Sequence, residues 1–247
     1  MAVTTTPLVR IDRVRKEFRA VVALEELTLD VNRGDIVALV GDNGAGKSTV
    51  VKCIAGVYSP TSGQILLEGQ PVDFSSPLDA RSQGIEVVFQ DLALANAQPV
   101  YMNMFLGREL VKGPLRRLDR ETMGAQTQTL LDDLDVRIDS PRQTTRDLSG
   151  GQRQGVAIAR AVQWAQRLVV MDEPTAALGV AETRRVEELI RRMRDRGSAI
   201  LLVSHSLDQV FRLADRICVL RRGKQVGIRR TSETTGDEIV AMITGLR

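Results

Sequence analysis

The stretch of sequence that decides the fold is Gly41-Asp42-Asn43-Gly44-Ala45-Gly46-Lys47-Ser48-Thr49. It matches the pattern GxxxxGK followed by Ser or Thr, in which glycines let a loop between a strand and a helix turn its backbone amides inward. The apolar run Ile36 to Val40 precedes the loop, and apolar residues within 50–54 follow it at helical spacing. We therefore predict a buried strand, a phosphate-binding loop and a helix, in this order.

The chemistry expected of this loop is the binding of a nucleoside phosphate. Lys47 is expected to reach the β- and γ-phosphates, and Ser48 is expected to offer its hydroxyl to Mg²⁺. The positive end of the helix dipole and the inward amides would complete the anion site. The alternative is a glycine-rich turn that binds nothing, and the order of strand, loop and helix argues against it.

Composition limits the classes of protein that this chain can belong to. It has 247 residues, 43% apolar and 26% charged, which fits a soluble globular domain with a sizeable core. No apolar run approaches the ~18 residues that a membrane span needs. With 34 basic against 31 acidic residues and 3% aromatics, the composition does not favour nucleic acid as a partner. Met1 to Arg10 lacks the pattern of a secretory signal, so we expect a cytoplasmic protein.

The two cysteines, Cys53 and Cys218, form no CxxC pair and have no nearby His. This spacing excludes the usual zinc motifs and a disulfide framework. We expect two reduced, buried thiols.

The order of the apolar patterns predicts an α/β fold with a mainly parallel sheet, because short β-rich runs alternate with helical patterns. Leu8 to Val31 is predicted to form successive strands and Ile65 to Leu67 a further short strand, which together give an antiparallel β subdomain at the edge. Buried strands are predicted at Leu168 to Met171 and Ala199 to Val203, separated by a helix from Ala181 to Arg196.

The segment from about 91 to 163 differs from the rest, because strand signals fade there and helical patterns dominate. We predict that it is an α-helical subdomain inserted into the α/β core. The core with its antiparallel subdomain would then comprise 1–90 and 164–247, and the whole chain 1–247 would be one domain.

Two adjacent carboxylates follow the predicted strand Leu168 to Met171. Neighbouring residues of a strand point to opposite faces, so Asp172 and Glu173 can take different tasks at the strand end. Asp172 is expected to hold the Mg²⁺ shell, and Glu173 to orient and deprotonate an attacking water. An acidic pair at a strand end is common on any surface, but beside a phosphate-binding loop it is the expected second half of a hydrolytic site.

A second anion site is predicted at Leu148-Ser149-Gly150-Gly151-Gln152, which precedes a helical run. Ser149 is suited to cap that helix, and two glycines would expose backbone amides at its start. A local capping turn also explains the pentapeptide, but it does not explain the position of the pentapeptide about twenty residues before the carboxylate strand.

Together these motifs resemble the ATP-binding cassette (ABC) ATPases, and the resemblance covers essentially the whole chain. It implies a P-loop NTPase core that binds ATP and Mg²⁺ and hydrolyses the ATP. Gln90 resembles the Q-loop glutamine, which contacts the metal and links the core to the helical subdomain. His205 resembles the switch histidine that touches the γ-phosphate. Phe18 stands where the family places an aromatic side chain to stack on adenine.

The pentapeptide 148–152 resembles the signature of this family, and in the family the signature of one subunit faces the phosphate-binding loop of another. The resemblance therefore implies a homodimer that closes on two ATP molecules, in which Ser149, Gly150, Gly151 and Gln152 bind the nucleotide held by the other subunit. One departure is Gly179, where the family usually has an Asp that reaches across the dimer. This departure puts cross-subunit signalling through that side chain in question.

Two segments, Ala176 to Val180 and Asn103 to Glu109, resemble the ATPases of bacterial monosaccharide importers of the fructose or ribose type. The resemblance implies a peripheral subunit on the cytoplasmic face of the membrane. Its partners would be separate membrane permease subunits and, indirectly, a periplasmic or surface sugar-binding protein. The apolar stretch 99–105 is expected either to contact the permease or to pack inside the helical subdomain.

Two other functions could use the same loop. Non-transport cassette ATPases that act on nucleic acid or the ribosome carry zinc modules, coiled coils or a second cassette, and this sequence shows none of them. A small-molecule kinase is disfavoured by the signature and by Glu173. ATP-driven import of a sugar is therefore the favoured hypothesis.

Overall fold

The computed structural model describes residues 6–176 and 178–245, so 1–5, Ala177 and 246–247 lie outside the described residues. The strands are β1 (Val9–Phe18), β2 (Val21–Val31), β3 (Ile36–Gly41), β4 (Ser62–Leu67), β5 (Gln70–Val72), β6 (Ile85–Val88), β7 (Val111–Lys112), β8 (Arg117–Leu118), β9 (Leu168–Asp172), β10 (Ala199–Val203), β11 (Arg216–Arg221) and β12 (Lys224–Arg230). The α-helices are α1 (Lys47–Ile54), α2 (Pro77–Ser82), α3 (Val100–Met104), α4 (Arg120–Asp133), α5 (Gly150–Trp164), α6 (Val180–Asp195), α7 (Leu207–Leu213) and α8 (Gly236–Thr244).

The described residues form two compact units. One comprises 6–87, 165–173 and 193–245, and the other comprises 88–164 and 174–192. The predicted helical segment 91–163 lies within the second unit, which in the structure also includes 174–192.

A ten-stranded sheet forms the first unit, in the order β5-β4-β1-β2-β12-β11-β3-β10-β9-β6. Strands β11, β3, β10 and β9 run parallel, whereas β5, β4, β1 and β2 are joined by antiparallel pairs. The prediction of a parallel core with an antiparallel edge is therefore confirmed.

The burial of each strand follows its apolar pattern. All five residues of β10 are buried, as are the first five of β3 and the first four of β9, so these strands are continuous apolar runs. In β2 buried residues alternate with exposed ones towards its end, as expected for a sheet that buries one face. Because β3, β10 and β9 are parallel neighbours, their carboxyl ends meet at one edge of the sheet.

Both cysteines lie in the first unit and are buried and free, as predicted. Burial raises the pKa of the Cys53 thiol to about 11 and that of the Cys218 thiol to about 12. Both thiols are therefore protonated at neutral pH and lack the thiolate that reactive cysteines need.

The second unit contains α3, α4, α5 and the hairpin of β7 and β8. Of the apolar stretch 99–105, Val100, Met104 and Phe105 are at most 1% exposed and Tyr101 is 7% exposed. These side chains pack the interior of the unit, as the packing alternative predicted. Hydrophobic side chains at helical spacing serve a core and a docking surface equally well, so the sequence could not separate the two.

Candidate functional site

The phosphate-binding loop connects β3 to α1, as predicted. A Cβ atom at Gly41 would lie 2.3 Å from the backbone oxygen of Leu220, and one at Gly46 would lie 2.8 Å from the backbone oxygen of Ala23. Gly46 also has φ 107°, in the left-handed region that favours glycine. Neighbouring strands therefore require glycine at both ends of the loop. Around Gly44 there is open space, since a Cβ there would meet nothing within 4 Å.

The start of α1 has the features of an anion site. No side chain caps the helix, so the positive end of its dipole faces the loop without a side-chain acceptor. Lys47 is 9% exposed, and its Nζ donates to the backbone oxygens of Gly41 at 2.6 Å and Asp42 at 3.0 Å. The Ser48 side chain is exposed beside it. A buried ammonium and uncapped amides suit phosphate oxygens.

The remaining loop residues shape the turn. Asp42 accepts hydrogen bonds from the amide of Asn43 through Oδ1 and from the amide of Ala45 through its backbone oxygen. Thr49 donates its amide to Gly46.

Asp172 and Glu173 lie at the carboxyl end of β9. The Glu173 amide donates to the backbone oxygen of Val203 at 2.9 Å, and Glu173 has φ 50°, which is uncommon for a residue with a side chain. Asp172 still belongs to the strand, so the two carboxylates leave the backbone from different conformations. From the sequence, we expect the two side chains to point in different directions because residues alternate along a strand. In the structure the strand ends at Asp172, and Glu173 lies beyond it.

The environment of Asp172 favours its neutral form. Burial raises the pKa of its carboxyl, and the nearby charge of Glu173 adds to this effect. The positive charges of Lys47 and Lys52 act in the opposite direction and lower this pKa. The carboxylate and the loop lysine are therefore close enough to interact electrostatically. A further cation at this carboxylate would offset the cost of its charge.

His205 follows β10, the strand between β3 and β9. Its Nδ1 lies 3.0 Å from Oε2 of Glu173, and its side chain is 65% exposed against 22% for Glu173. The turn that carries it is held by the buried Ser204, whose Oγ donates to Gln209 Oε1 at 2.9 Å and accepts from the Ser206 amide at 3.1 Å. Sequence reasoning missed the supporting roles of Ser204 and Gln209, because a hydroxyl and an amide five residues apart give no distinctive pattern.

Phe18 ends β1 and is 38% exposed. Its ring meets that of Tyr58 edge to face, with centroids 5.0 Å apart, and the Nζ of Lys16 lies 5.0 Å from the Phe18 centroid. Tyr58 was not singled out from the sequence, and its contact joins segments 40 residues apart along the chain. The exposed ring is available for stacking.

The signature residues lie in the second unit. Ser149 Oγ accepts from the Gln152 amide at 3.2 Å, and Gln152 Oε1 accepts from the Ser149 amide at 2.9 Å. This reciprocal pair is a capping box at the start of α5. Gln152 also donates to the backbone oxygen of Arg137 at 3.0 Å, so its side chain serves the local structure. A Cβ at Gly151 would lie 2.6 Å from Cγ of Glu182, so a larger residue would displace that side chain, whereas Gly150 has more room.

Gln90 is exposed and also belongs to the second unit. The backbone just after it is held by Arg160 of α5, which donates to the oxygens of Leu92 at 2.9 Å and Ala93 at 3.1 Å. The sequence did not identify Arg160, because an arginine on a helix usually lies on a solvated face. In the structure this arginine ties the segment after Gln90 to the helix that begins at the signature.

The structure thus brings together the phosphate-binding loop, Asp172, Glu173 and His205 in the first unit. Gln90 and the signature, 149–152, belong to the second unit. Among residues 6–176 and 178–245, no three His, Cys, Asp or Glu side chains form a group that could hold a metal ion by themselves. No helix within those ranges has the length and apolar character that crossing a membrane requires.

Comparison with known proteins gives the same assignment as the motifs. The family model described as ABC transporter matches residues 24–176. The chain belongs to the ABC transporter family. The predicted family, the predicted α/β cassette fold and the prediction of an ATP-hydrolysing protein are confirmed.

Curated members of this family are similar over almost the whole chain. The xylose/arabinose import ATP-binding protein XylG of Sulfolobus acidocaldarius is 45% identical over 96% of this chain and 94% of its own. The fructose import ATP-binding protein FrcA of Rhizobium meliloti is 46% identical over 94% of this chain and 92% of its own. The ribose import ATP-binding protein RbsA of Yersinia pestis is 42% identical over 97% of this chain, which spans only 46% of that relative.

Solved structures agree with the fold. A structure of cbiO1 from Clostridium perfringens, part of the ABC transporter complex cbiONQ, has a TM-score of 0.80 and 26% identity, and the match covers 98% of this chain and 96% of that one. An ATP-binding cassette of an ABC transporter in its ADP conformation has a TM-score of 0.82 at 24% identity, over 97% of this chain and 95% of that one. The latter supports the fold alone.

Proposed function

We propose that this chain is the ATP-hydrolysing subunit of an importer for a monosaccharide, and that it works with separate permease subunits at the cytoplasmic face of a membrane. The observation that carries the proposal is the contact of Glu173 with His205 at the sheet edge where the phosphate-binding loop begins. The names of the relatives, which import xylose, arabinose, fructose or ribose, support a sugar as the cargo.

The loop would bind the phosphates of ATP. Lys47 exchanges its two backbone acceptors for phosphate oxygens, and the uncapped amides of α1 bind the same anion. Phe18 stacks on the adenine through its exposed ring face. The open space at Gly44 leaves room for the backbone to approach the phosphates.

Mg²⁺ fits the residues present, because this ion is usually held by one or two carboxylates together with substrate phosphates rather than by a cage of protein groups. Ser48 and Asp172, both of the first unit, would hold it. The ion would neutralise charge on the transferring phosphoryl group. Its charge would also stabilise the ionised form of Asp172, whose pKa is raised by burial.

Glu173 would accept a hydrogen bond from the attacking water and take its proton. His205, 3.0 Å from Glu173, would fix the position of that carboxylate and contact the γ-phosphate with its exposed ring. The electron pair of the water oxygen forms the new bond to phosphorus, and the bond to the β–γ bridging oxygen breaks to give ADP and phosphate.

A second subunit would complete the site. Ser149 and the amides of Gly150 and Gly151 begin α5, so they offer a second helix N-terminus to the γ-phosphate bound by a partner copy. ATP would therefore be part of the dimer interface, and its hydrolysis would reopen the dimer. The inserted segment 91–163 would form the subdomain that carries this signature.

The experiment that tests the proposal is reconstitution with the candidate permease in proteoliposomes. We expect sugar uptake that requires ATP on the side of this chain, and ATP hydrolysis that rises when permease and binding protein are present. Lys47→Ala should abolish both readouts. Wild-type protein that releases no more phosphate than Lys47→Ala would contradict the ATPase assignment. Hydrolysis stimulated by RNA or ribosomes but not by the permease would contradict the transport assignment.

A further inference from the structure

The hairpin of β7 and β8, which comprises residues 111–118, projects from the second unit between α3 and α4. Val111 pairs with Leu118, and Lys112 pairs with Arg117. The Asp119 amide donates to the backbone oxygen of Leu110 at 2.8 Å and closes the base of the hairpin. All eight residues from 111 to 118 are exposed, so this ordered element contributes no residue to the buried core of its unit.

The hairpin exposes large apolar side chains. Leu115 at the tip is 74% exposed, Val111 is 43% exposed and Leu118 is 36% exposed. Leu106, just before the hairpin, is 51% exposed. Turn tips ordinarily carry polar residues, because a turn faces water on most of its surface. A leucine at this position, beside three further exposed apolar side chains, indicates a surface that something covers.

The charge around these apolar side chains is positive. Residues 106–118 contain four basic side chains and one acidic side chain, and no carboxylate lies within 111–118. Lys112 is neutralised by Asp119 at 3.0 Å and Glu121 at 3.8 Å. Arg116 and Arg117, which follow Leu115 directly, form no ion pair with any residue of the described structure. The tip therefore combines an exposed leucine with two arginines whose charges are uncompensated.

We propose that the hairpin 111–118 docks onto the headgroups of anionic phospholipids, with Leu115 inserted between them and with Arg116 and Arg117 on their phosphates. Apolar side chains flanked by cationic ones are the composition of segments that lie in the membrane interface. Anionic lipids attract each Lys or Arg near the surface, within about one Debye length. The inference rests on the proposed function only in placing the chain beside a membrane, and it requires no nucleotide.

The choice of lipid over an acidic protein surface follows from the arrangement at the tip. A single leucine at the tip of a hairpin that is exposed on all eight of its residues offers a protein partner little area, whereas a protein interface of standard size buries about 800 Å² on each partner. A fluid layer of headgroups can surround the tip from all sides. Long arginine side chains can reach phosphates while their stems stay on apolar surface.

The test is co-sedimentation of the purified full chain with lipid vesicles, without permease. We expect the wild-type protein to bind vesicles of phosphatidylcholine that contain about one-third phosphatidylglycerol and not to bind vesicles of pure phosphatidylcholine. The bound protein should dissociate at high salt. Arg116→Ser combined with Arg117→Ser should weaken binding roughly 25-fold, about fivefold for each arginine. Leu115→Ser should weaken it about tenfold.

Matched controls exist in the same chain. Leu78→Ser removes a leucine that is 71% exposed in α2, beside Asp79, and Arg184→Ser combined with Arg230→Ser removes two exposed arginines, from α6 and the end of β12. Both controls should bind anionic vesicles as the wild type does. Every variant should keep its melting temperature and its basal ATP hydrolysis, because none of these residues touches the nucleotide site.

Three results would overturn the lipid proposal. The first is equal binding of the wild type to neutral and anionic vesicles, and the second is unchanged binding of the hairpin variants to anionic vesicles. The third is a wild-type chain that binds no vesicles, with hairpin variants that no longer co-purify with the permease. The last result would assign the hairpin to a protein partner. A wild-type chain that binds anionic vesicles but hydrolyses no ATP would instead count against the proposed function, so the two failures are distinguishable.

Discussion

Oε2 of Glu173 lies 3.0 Å from Nδ1 of His205. The two residues follow the neighbouring parallel strands β9 and β10, and the Glu173 amide is bonded to the backbone oxygen of Val203. The strand ladder therefore fixes both backbones, while Glu173 has the left-handed φ of 50°. Glu173 is thus held through its backbone by Val203 and through its carboxylate by His205, which suits it to orient a water molecule. This relationship leads to the first two predictions.

Glu173→Gln should lower the rate of ATP hydrolysis at least about 100-fold, because an amide cannot take the proton of the water. ATP binding should persist, since the phosphate contacts come from the loop. Size-exclusion chromatography with ATP should then show a nucleotide-dependent dimer. Glu188→Gln, at an exposed position of α6, is the control and should hydrolyse ATP as the wild type does. Only monomer in the presence of ATP would contradict either the role of Glu173 or homodimerisation.

His205→Ala should reduce kcat strongly and leave nucleotide affinity nearly intact, because the imidazole contacts Glu173 and not the Lys47 loop. The measurement is steady-state phosphate release together with binding of a fluorescent ATP analogue. Unchanged turnover would refute a role for His205 in the reaction.

Gly46→Ala should destabilise the protein by about 1–3 kcal/mol and weaken ATP binding, because Cβ would lie 2.8 Å from the backbone oxygen of Ala23 at φ 107°. Gly124→Ala in α4 is the matched control, since Cβ there meets nothing within 4 Å. It should stabilise the protein by about 0.5–1 kcal/mol. Urea denaturation measures both effects, and equal free energies of unfolding for the two variants would contradict the steric argument.

Asp172→Asn should increase stability at neutral pH in the absence of nucleotide and Mg²⁺. The pKa of Asp172 is raised above its ordinary value of 3.8, so the folded state keeps the proton to higher pH than the unfolded chain. Stability from this group is lost as pH rises from 3.8 through the raised pKa, and the advantage of Asn should vanish below 3.8.

Asp79→Asn is the control of opposite sign. Hydrogen bonds from Ser75 lower the pKa of the Asp79 carboxyl, so its stabilising effect is present at neutral pH and is lost in acid. Thermal melting from acidic to neutral pH measures both variants. Parallel pH profiles of Asp172→Asn and the wild type would contradict the prediction.

Asn103→Ala should destabilise the second unit by about 3 kcal/mol. Asn103 is fully buried, bonds to the amide and oxygen of Ala95, and donates to Thr145 Oγ1 at 2.9 Å. Its removal leaves several buried polar groups without partners. Hydrogen exchange should rise in 92–99, the segment after Gln90. Asn96→Ala, at an exposed position in that segment, should change little. Equal exchange in both variants would exclude Asn103 as the anchor.

Local patterns in the sequence determined the architecture of this protein. The loop from Gly41 to Thr49 predicted its own strand and helix, because the glycines and the lysine act through backbone geometry within nine residues. The continuous apolar runs of β3, β9 and β10 predicted buried parallel strands, and the capping residue Ser149 predicted the start of α5. Each of these features depends on residues that are close along the chain.

Only the tertiary structure decided which side chains meet and which stay exposed. It brought Glu173 within 3.0 Å of His205 and placed Tyr58 against Phe18. It buried Met104 and Phe105 and left Leu115 exposed, although all three are apolar residues in helix-rich sequence. The hydrophobicity of a side chain sets the free energy gained when it is buried, but whether it is buried depends on packing between distant segments. For that reason the sequence determined the ATP-binding cassette and its motifs, whereas only the folded chain determined which side chains are exposed to partners.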